Sequence, residues 1–229
     1  MSDIKHFFIK ERYNIYLQIL IWSLTMPSVM IGFPLFIQKI TGEKRDKHTT
    51  RAIKRVLFNV YFTLPFLVLF TNIMFYKNWV DTNFPKLDRV LIEIFAILFF
   101  TDTTFYWWHR FLHTKFMYRL HKHHHSFRPT QTVAYVSMSL FEFVFENLSY
   151  FCGAPFIGIW LHGSLHIISW ALSMLYILIQ GTLIHNSNLK WKSNIFNSPH
   201  SHQIHHQYGS KNGNFGLLTM FWDRICGTI

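Results

Sequence analysis

Long stretches of apolar side chains alternate along this chain with short polar segments. The first apolar stretch, residues 14–40, is interrupted mainly by Pro27 and Pro34. It exceeds the roughly 20 residues that a membrane-crossing helix needs, and its prolines predict a kink in that helix. The second stretch runs over residues 56–76, and the third begins at Leu87. Each of these patterns predicts a transmembrane helix.

The third and fourth apolar stretches differ in how they end. No proline or glycine interrupts the chain from Leu87 to His109, so we expect one helix that leaves the lipid near Tyr106. The fourth stretch, residues 132–180, is broken at residues 152–155, and this break predicts a helical hairpin rather than one long span. The pattern therefore predicts an all-α, multi-pass transmembrane bundle of about three spans plus a helical hairpin.

The composition supports a membrane location and argues against binding of nucleic acid. Half of the 229 residues are hydrophobic and 14% are charged, whereas soluble domains carry about 25% charged residues. The net charge of +11 comes from cations between the apolar stretches, where they would orient the chain in a membrane. We expect the membrane as a partner and no nucleic acid. Residues 1–12 have no small-residue cleavage site, so we also expect no removable signal peptide.

The distribution of Lys and Arg predicts the orientation of the spans. Residues 41–55 contain six Lys or Arg residues, whereas residues 77–89 contain three, offset by Asp81 and Asp88. The excess of cations places the first loop in the cytoplasm. The second span then leaves the cytoplasm, the third returns to it, and the hairpin comes back to the same face. The histidine-rich segments would therefore form one cytoplasmic, metal-binding cap.

The spacing of the histidines is that of metal ligands on helices. His109 and His113 are four residues apart, so on a helix they share one face. The pattern HxxHH occurs twice, at residues 121–125 and 202–206. In each copy two side chains share a helical face and the third lies about 100° away. One ion cannot easily use both copies, whereas two neighbouring ions can. His185 stands apart from these clusters.

Other interpretations of the histidines remain open at the level of sequence. Imidazole suits Zn, Cu, Fe and Ni, so the ligand type narrows the metal without fixing it. A histidine-rich segment can also be a loose metal sink or a pH-responsive surface. A metal transporter or sensor would need polar residues through its spans, and the first two apolar stretches contain almost none. A zinc-loaded, non-catalytic protein is compatible with the same residues.

The histidine motifs and their flanking residues resemble the fatty acid hydroxylase / sterol desaturase superfamily. The resemblance covers about residues 102–228, with the motifs in the order that the superfamily has. The matching segments are Asp102-x-x-x-Tyr106-x-x-His109-Arg-x-x-His113, Tyr118-Arg-x-His121-Lys-x-His124-His125-Ser, Ser198-Pro-x-x-His202-x-x-His205-His206, Asn214-Phe-Gly216 and Trp222-Asp-Arg-x-x-Gly-Thr228.

The resemblance implies a membrane-bound di-iron oxidoreductase that uses O2 as co-substrate. It would hydroxylate or desaturate a C–H bond of a sterol, a fatty acyl chain or a sphingolipid. Electrons would come from an external donor, such as a cytochrome b5-like protein, a ferredoxin or a reductase. Residues 1–86 would form N-terminal transmembrane helices and a basic loop, and residues 87–229 the catalytic region, within one integrated domain. The membrane would be the endoplasmic reticulum in a eukaryote and the inner membrane in a bacterium.

The resemblance also implies which residues bind metal. The superfamily commonly has His-Ser-Asn where this chain reads His185-Asn-Ser-Asn188, so His185, Asn186 or Asn188 would complete the site. Ser139 stands where the superfamily often has a further histidine. The implied metal ligands are His109, His113, His121, His124, His125, His185, His202, His205 and His206.

Two acidic side chains are expected to take part in the site as catalytic residues. Asp102 lies seven and eleven residues before His109 and His113, so all three would share a helical face. Its carboxylate would accept a hydrogen bond from a ligand imidazole. Glu142 and Glu146 are four residues apart in an apolar hairpin, where ionisable groups are costly unless they face a site or other protein groups. Glu142 matches a glutamate of the superfamily.

Overall fold

The computed structural model describes residues 12–45, 47–147, 150–151, 153–208 and 213–229. Most of the residues behind the signal-peptide expectation lie outside this part of the chain. Within the described residues, four helical segments are long and apolar enough to cross a membrane: Leu17–Ile40, His48–Tyr76, Leu87–Leu112 and Ile167–Ile184. The structure therefore confirms the all-α, multi-pass bundle that the apolar pattern predicts.

The first span consists of two helices joined by a wider turn. Helix α1 is Arg12–Pro27 and helix α2 is Phe33–Ile40, and a π-helical segment, Ser28–Gly32, connects them. Proline lacks the N–H that an α-helical hydrogen bond requires, so irregular backbone is expected beside it. The irregularity predicted at the prolines thus takes the form of a π-helical segment.

The next two spans are single helices. Helix α3 is Lys47–Tyr76 and contains Pro65, and helix α4 is Leu87–Leu112. A two-residue strand β1, Val80–Asp81, lies between them. Helix α4 continues beyond the apolar residues to Leu112, as the absence of proline and glycine predicts. His109 therefore lies in its last turn, and His113 is the residue that ends it.

The hairpin turns at a different residue from the one predicted. Its outward leg contains helix α6, Leu140–Asn147, and helix α7, Gly153–His162, and its return leg is helix α8, Ile167–Ile184. The chain reverses at Gly163, which has a φ of 76°. Glycine adopts this left-handed conformation without steric cost, whereas Pro155 lies in the first turn of α7, where proline is tolerated. The prediction of a break within 152–155 is therefore wrong about the turn.

The far end of the bundle is held by a small strand pair and by charged side chains. Strand β2, Leu165–His166, pairs in parallel with β1. Arg89 bonds Asp81 and Glu93, and it also donates to the carbonyl of Ser164 in the hairpin turn. Glu93 therefore faces protein groups at the end opposite the histidines, where it pairs with Arg89.

The short helices gather at the other end of the bundle, near Ile40 and Ile184. Buried residues of the 3-10 segment Thr132–Val136 pack against Ala52, Val56 and Val60 of α3. This contact fixes the cap to the spans. The other short helices of the described cap are α5 (Tyr118–His121), a 3-10 turn (His124–Ser126), α9 (Pro199–Tyr208) and α10 (Phe221–Ile225).

Candidate metal centre

Nine buried histidines form two adjoining groups in the cap. Within each group, one ring nitrogen from every histidine lies within 4.8 Å of the others. The rings of His125 and His206, one from each group, are stacked with their centroids 4.4 Å apart, so the groups are direct neighbours. Group 1 contains His109, His113, His121, His125 and His205, and group 2 contains His124, His185, His202 and His206.

Each HxxHH segment contributes histidines to both groups. Helix α9 begins at Pro199, and proline is favoured at the first position of a helix. His202 and His206, one turn apart on α9, belong to group 2, whereas His205 belongs to group 1. In segment 121–125 the groups are exchanged: His121 and His125 belong to group 1, and His124 belongs to group 2. On α9 successive residues point about 100° apart, whereas segment 121–125 divides where α5 ends at His121 and the 3-10 turn begins at His124. Each segment therefore contributes to both groups.

The Nε2 atoms within each group are spaced like ligands of one ion. His109 Nε2 lies 3.1 Å from the Nε2 atoms of both His121 and His205. In group 2, His185 Nε2 lies 2.8 Å from that of His202 and 3.2 Å from that of His124. With metal–nitrogen bonds of about 2.1 Å, two ligands at a right angle lie about 3.0 Å apart. The observed spacing fits this value.

Backbone carbonyls fix the orientation of three of the rings. The Nδ1–H of His109 donates to the carbonyl of Phe215 at 2.8 Å, and that of His205 donates to the carbonyl of Gly213 at 3.0 Å. His185 donates to the carbonyl one helical turn before it, at 2.6 Å. A carbonyl oxygen only accepts hydrogen bonds, so the proton belongs on Nδ1 and the Nε2 lone pair points into the group.

Glu142 fixes the ring of His121 in the same way. Its Oε1 lies 2.5 Å from His121 Nδ1, and both side chains are buried. Its Oε2 accepts from the N–H of Ser139, and the Ser139 hydroxyl accepts from the N–H of Glu142, each at 3.3 Å. This reciprocal pair is a capping box at the start of α6. Ser139 therefore orients the carboxylate that holds a histidine of group 1.

The positions of the protons show why this arrangement suits a cation. His109, His121 and His205 carry their protons on Nδ1, so the Nε2 lone pairs that approach at 3.1 Å share no proton. Burial, reinforced by neighbouring histidines, lowers the pKa of His121 and of His205 well below its usual value. Burial likewise lowers the pKa of His125 and of His185 to about 3. The rings are therefore neutral near pH 7, and a metal ion would satisfy the converging lone pairs.

Asp102 lies elsewhere than predicted. Its carboxylate accepts hydrogen bonds from the N–H of Leu218 at 2.8 Å and from the hydroxyl of Thr219 at 2.5 Å. The prediction that Asp102 orients a ligand imidazole is therefore wrong. The C-terminal segment packs on this face of α4 and offers its own donors. The same segment supplies the Phe215 carbonyl that accepts the hydrogen bond from His109 Nδ1–H.

His185, rather than Asn186 or Asn188, points into group 2. The Asn186 side chain donates to the hydroxyls of Thr41 and Thr132, at 2.7 and 3.0 Å. Asn188 donates to the carbonyl of Thr41 at 2.9 Å. Both asparagines thus connect the loop after α8 to the cap, and His185 is the residue of the His-Asn-Ser-Asn sequence whose ring belongs to group 2.

Glu43 was missed in the sequence, although it organises the cap. It is buried, and it accepts hydrogen bonds from the N–H groups of Thr132 at 2.9 Å and of Ser187 at 3.1 Å. The cations of residues 41–55 were used only to predict orientation. The acidic Glu43 among them was the available signal for a buried hydrogen-bond acceptor. The hydrogen bonds from histidines to the carbonyls of Gly213 and Phe215 were not predicted, because a pattern of side chains carries no information about the partners of backbone groups.

Fold and site together define a helical membrane protein with a buried polyhistidine centre of the kind that binds metal. The family model for fatty acid hydroxylases matches residues 94–228, and the chain belongs to this family. This match confirms the resemblance carried by the histidine motifs.

Several characterised proteins are similar to the chain over the region of the site. It is 30% identical over 150 residues to a Δ7-sterol 5(6)-desaturase of Candida glabrata, covering 65% of this chain and 39% of the relative. It is 28% identical to the corresponding desaturase of Saccharomyces cerevisiae, with the same coverage. It is 30% identical over 152 residues to the lathosterol oxidase of Homo sapiens, covering 64% of this chain and 48% of the relative.

These similarities extend over only part of the relatives. The chain spans about two-fifths of the length of the yeast desaturases and about half that of the human enzyme. No solved structure matches the chain.

Proposed function

We propose that this protein is a membrane-bound di-iron, O2-dependent oxidoreductase that hydroxylates or desaturates a lipid C–H bond. The observation that carries the proposal is the pair of adjoining histidine groups, and in group 1 the Nε2 lone pairs of His109, His121 and His205 converge without a shared proton. The family match and the named activities of the relatives favour lipid oxidation over metal transport or a structural zinc site. Their names also favour a sterol among the lipid substrates.

Iron, when bound, would supply the redox chemistry with O2. In the overall reaction, one O2, two electrons and two protons convert a C–H bond to an alcohol and release one water. If two adjacent C–H bonds lose hydrogen instead, the products are an alkene and two waters. In both cases the electrons come from an external donor, because the lipid alone does not provide enough to reduce O2 fully.

The chain's own groups hold the ions, orient the ligands and keep water out. The nine histidines of groups 1 and 2 would bind the two ions. Glu142 and the carbonyls of Gly213 and Phe215 keep protons on Nδ1 of their histidines, so that Nε2 stays available. The burial of the site would exclude bulk water and protect reactive species from side reactions.

The proposed donor would approach from the cytoplasm, the side to which the excess of cations in residues 41–55 would orient the cap. A polar cavity of about 790 Å³ borders His113 of group 1 and is also lined by Arg110. This cavity would bring a soluble or tethered electron donor close to the ions, while the lipid would enter from the side of the spans.

Replacement of one ligand in each group tests the proposal. We expect the purified protein to contain two iron ions per chain, and His124→Ala and His205→Ala each to lose iron and lower product formation by about 100-fold or more. Iron is measured by elemental analysis, and product by lipid profiling of cells that express the protein with its electron donor.

Gln207→Ala is the matched control, because Gln207 is exposed on the same helix α9, belongs to neither group and does not line the polar cavity. It should retain iron and turnover. Normal turnover in either ligand variant, or a protein that binds only zinc and forms no O2-dependent product, would contradict the proposal.

A further inference from the structure

One row of side chains on α3 combines two cations with three exposed aromatic rings. Residues three or four apart share one face of a helix, and five residues of α3 follow this spacing: Arg51, Arg55, Phe58, Phe62 and Phe66. The three phenylalanines are 59%, 50% and 66% exposed and lie within the apolar segment His48–Tyr76, so they face the lipid. We call this row the basic stripe. It begins with charge near the cap and continues along the span as an aromatic surface.

The two arginines of the basic stripe have no anionic partner among the described residues. Neither Arg51 nor Arg55 forms an ion pair or a hydrogen bond with any of them. The charge of Arg55 acts at a distance on Glu142, whose oxygens bond His121 and Ser139 instead. Like charges four residues apart on a helix repel each other. An anion from outside the protein would therefore relieve this repulsion and pair both charges.

Other arginines that the structure describes have partners within the protein. Arg110 donates to the hydroxyl of Tyr106, and Arg128 and Arg224 each donate to a backbone carbonyl. At the opposite end of the bundle, Arg89 forms ion pairs with two acidic side chains. The basic stripe thus differs from a general excess of cations, because its two guanidinium groups are left without such contacts.

The charged end of the basic stripe lies where the spans meet the cap. His48, one helical turn before Arg51, packs its ring against Phe127 at a centroid distance of 5.7 Å. His123, which stands among the metal ligands of the cap, packs against the same ring at 6.3 Å. The first phenylalanine of the stripe follows the second arginine by three residues, or about 4.5 Å of helix. The guanidinium groups therefore lie at the boundary between the polar cap and the apolar span, which is the level of lipid headgroups.

We propose that the basic stripe binds an anionic glycerophospholipid of the surrounding leaflet, with the phosphate at Arg51 and Arg55 and an acyl chain along the three phenylalanines. Guanidinium groups bind phosphate oxygens through paired, charge-assisted hydrogen bonds. The aromatic part of the stripe favours a lipid over a soluble anion or an acidic protein, because neither of those would contact the lipid-facing rings. The proposal goes beyond the proposed function and does not depend on it.

Binding of two phospholipids with identical acyl chains to the purified full chain, in an uncharged detergent, tests this site. The radiolabelled probes are dioleoylphosphatidylglycerol, which is anionic, and dioleoylphosphatidylcholine, which has no net charge. We expect phosphatidylglycerol to bind about 25-fold more tightly, since each cation near an anionic headgroup contributes about fivefold. Glycerol 3-phosphate is the soluble competitor, and it should displace neither lipid at an equal concentration.

Substitutions of the two arginines locate the headgroup. Arg51→Gln and Arg55→Gln should each lower the preference for phosphatidylglycerol about fivefold, and the double variant should remove most of it. The matched control combines Lys190→Gln with Lys192→Gln, because both lysines are exposed in the loop after α8 and their replacement removes the same charge. The control should retain the preference. The melting temperature of each variant, measured without lipid, shows that it is folded.

Three outcomes would overturn the assignment. An unchanged preference in both single variants, or an equal loss in the lysine control, would show that the arginines form no specific site. Displacement of phosphatidylglycerol by glycerol 3-phosphate at an equal concentration would show that the aromatic part of the stripe takes no part in binding. Displacement by a poly-glutamate peptide as effective as that by unlabelled lipid would assign the arginines to an acidic protein instead.

Discussion

At the scale of single residues, Glu142 connects the hairpin to the metal centre. One carboxylate oxygen accepts from His121 and the other accepts from the N–H of Ser139. The cost of an acidic residue in an apolar hairpin predicts that Glu142 faces a site or protein groups, and it does. The different argument used for Asp102, a helical face shared with His109 and His113, failed because a shared face does not reveal which other segment will cover it.

Substitution Glu142→Gln should weaken iron binding by about 10- to 100-fold. It replaces the carboxylate that accepts the hydrogen bond from His121 Nδ1–H with an amide. Competition with a chelator measures this change. Glu146→Gln is the matched control, because Glu146 lies on the same helix, is similarly buried and bonds no described histidine. Equal loss of iron in the two variants would show that Glu142 has no specific role.

At the scale of elements, the C-terminal segment 213–229 closes the site over α4. The Asp102 carboxylate accepts hydrogen bonds from the N–H of Leu218 and the hydroxyl of Thr219. The hydroxyl of Tyr106 lies 2.9 Å from the hydroxyl of Thr228. Farther along the segment, Asp223 accepts from backbone N–H groups and keeps the segment folded on itself. The histidine motifs predict the helices that bear the ligands, but this closure depends on contacts between residues more than 100 positions apart in the chain.

Gly213→Ala should disturb the segment and the centre together. An added Cβ would lie 1.5 Å from the Thr228 carbonyl oxygen, so the backbone at residue 213 must shift. The carbonyl of this residue accepts the hydrogen bond from His205 Nδ1–H. We expect a lower melting temperature and weaker iron binding, measured by thermal unfolding and chelator competition.

Gly32→Ala serves as the control for this substitution. Nothing lies within 4 Å of its added Cβ, and alanine favours a helix over glycine by about 1 kcal/mol. The melting temperature of Gly32→Ala should be unchanged or higher. A Gly213→Ala protein as stable and as iron-loaded as this control would contradict the role given to the segment.

At the scale of the whole molecule, the two ends of the bundle have different chemistry. The cap end holds the histidines and the basic loop, whereas the far end holds β1, β2 and the ion pairs of Arg89. The charge distribution predicts that the cap faces the cytoplasm.

Cysteine labelling in whole cells tests this orientation. In a background with both native cysteines replaced by serine, we expect Thr82→Cys to react with a membrane-impermeant maleimide from outside the cytoplasm. Lys44→Cys should react only after the membrane is made permeable. Both positions are exposed on loops at opposite ends of the bundle. Labelling with the reverse pattern would place the metal centre on the other side of the membrane.

Sequence alone determined the approximate extent of the first three spans, because hydrophobic length along the chain sets which segments cross a membrane. It also determined which histidines are candidate ligands, since helical spacing is a local property. The division of the HxxHH segment on α9 between two groups follows from the same local geometry.

Tertiary structure alone decided what holds those ligands in place. The choice of His185 over Asn186, the carbonyls of Gly213 and Phe215, the buried Glu43 and the turn at Gly163 all depend on which distant segments come into contact. Hydrogen-bond partners of buried groups are selected by packing in three dimensions, and no periodicity along the chain encodes them.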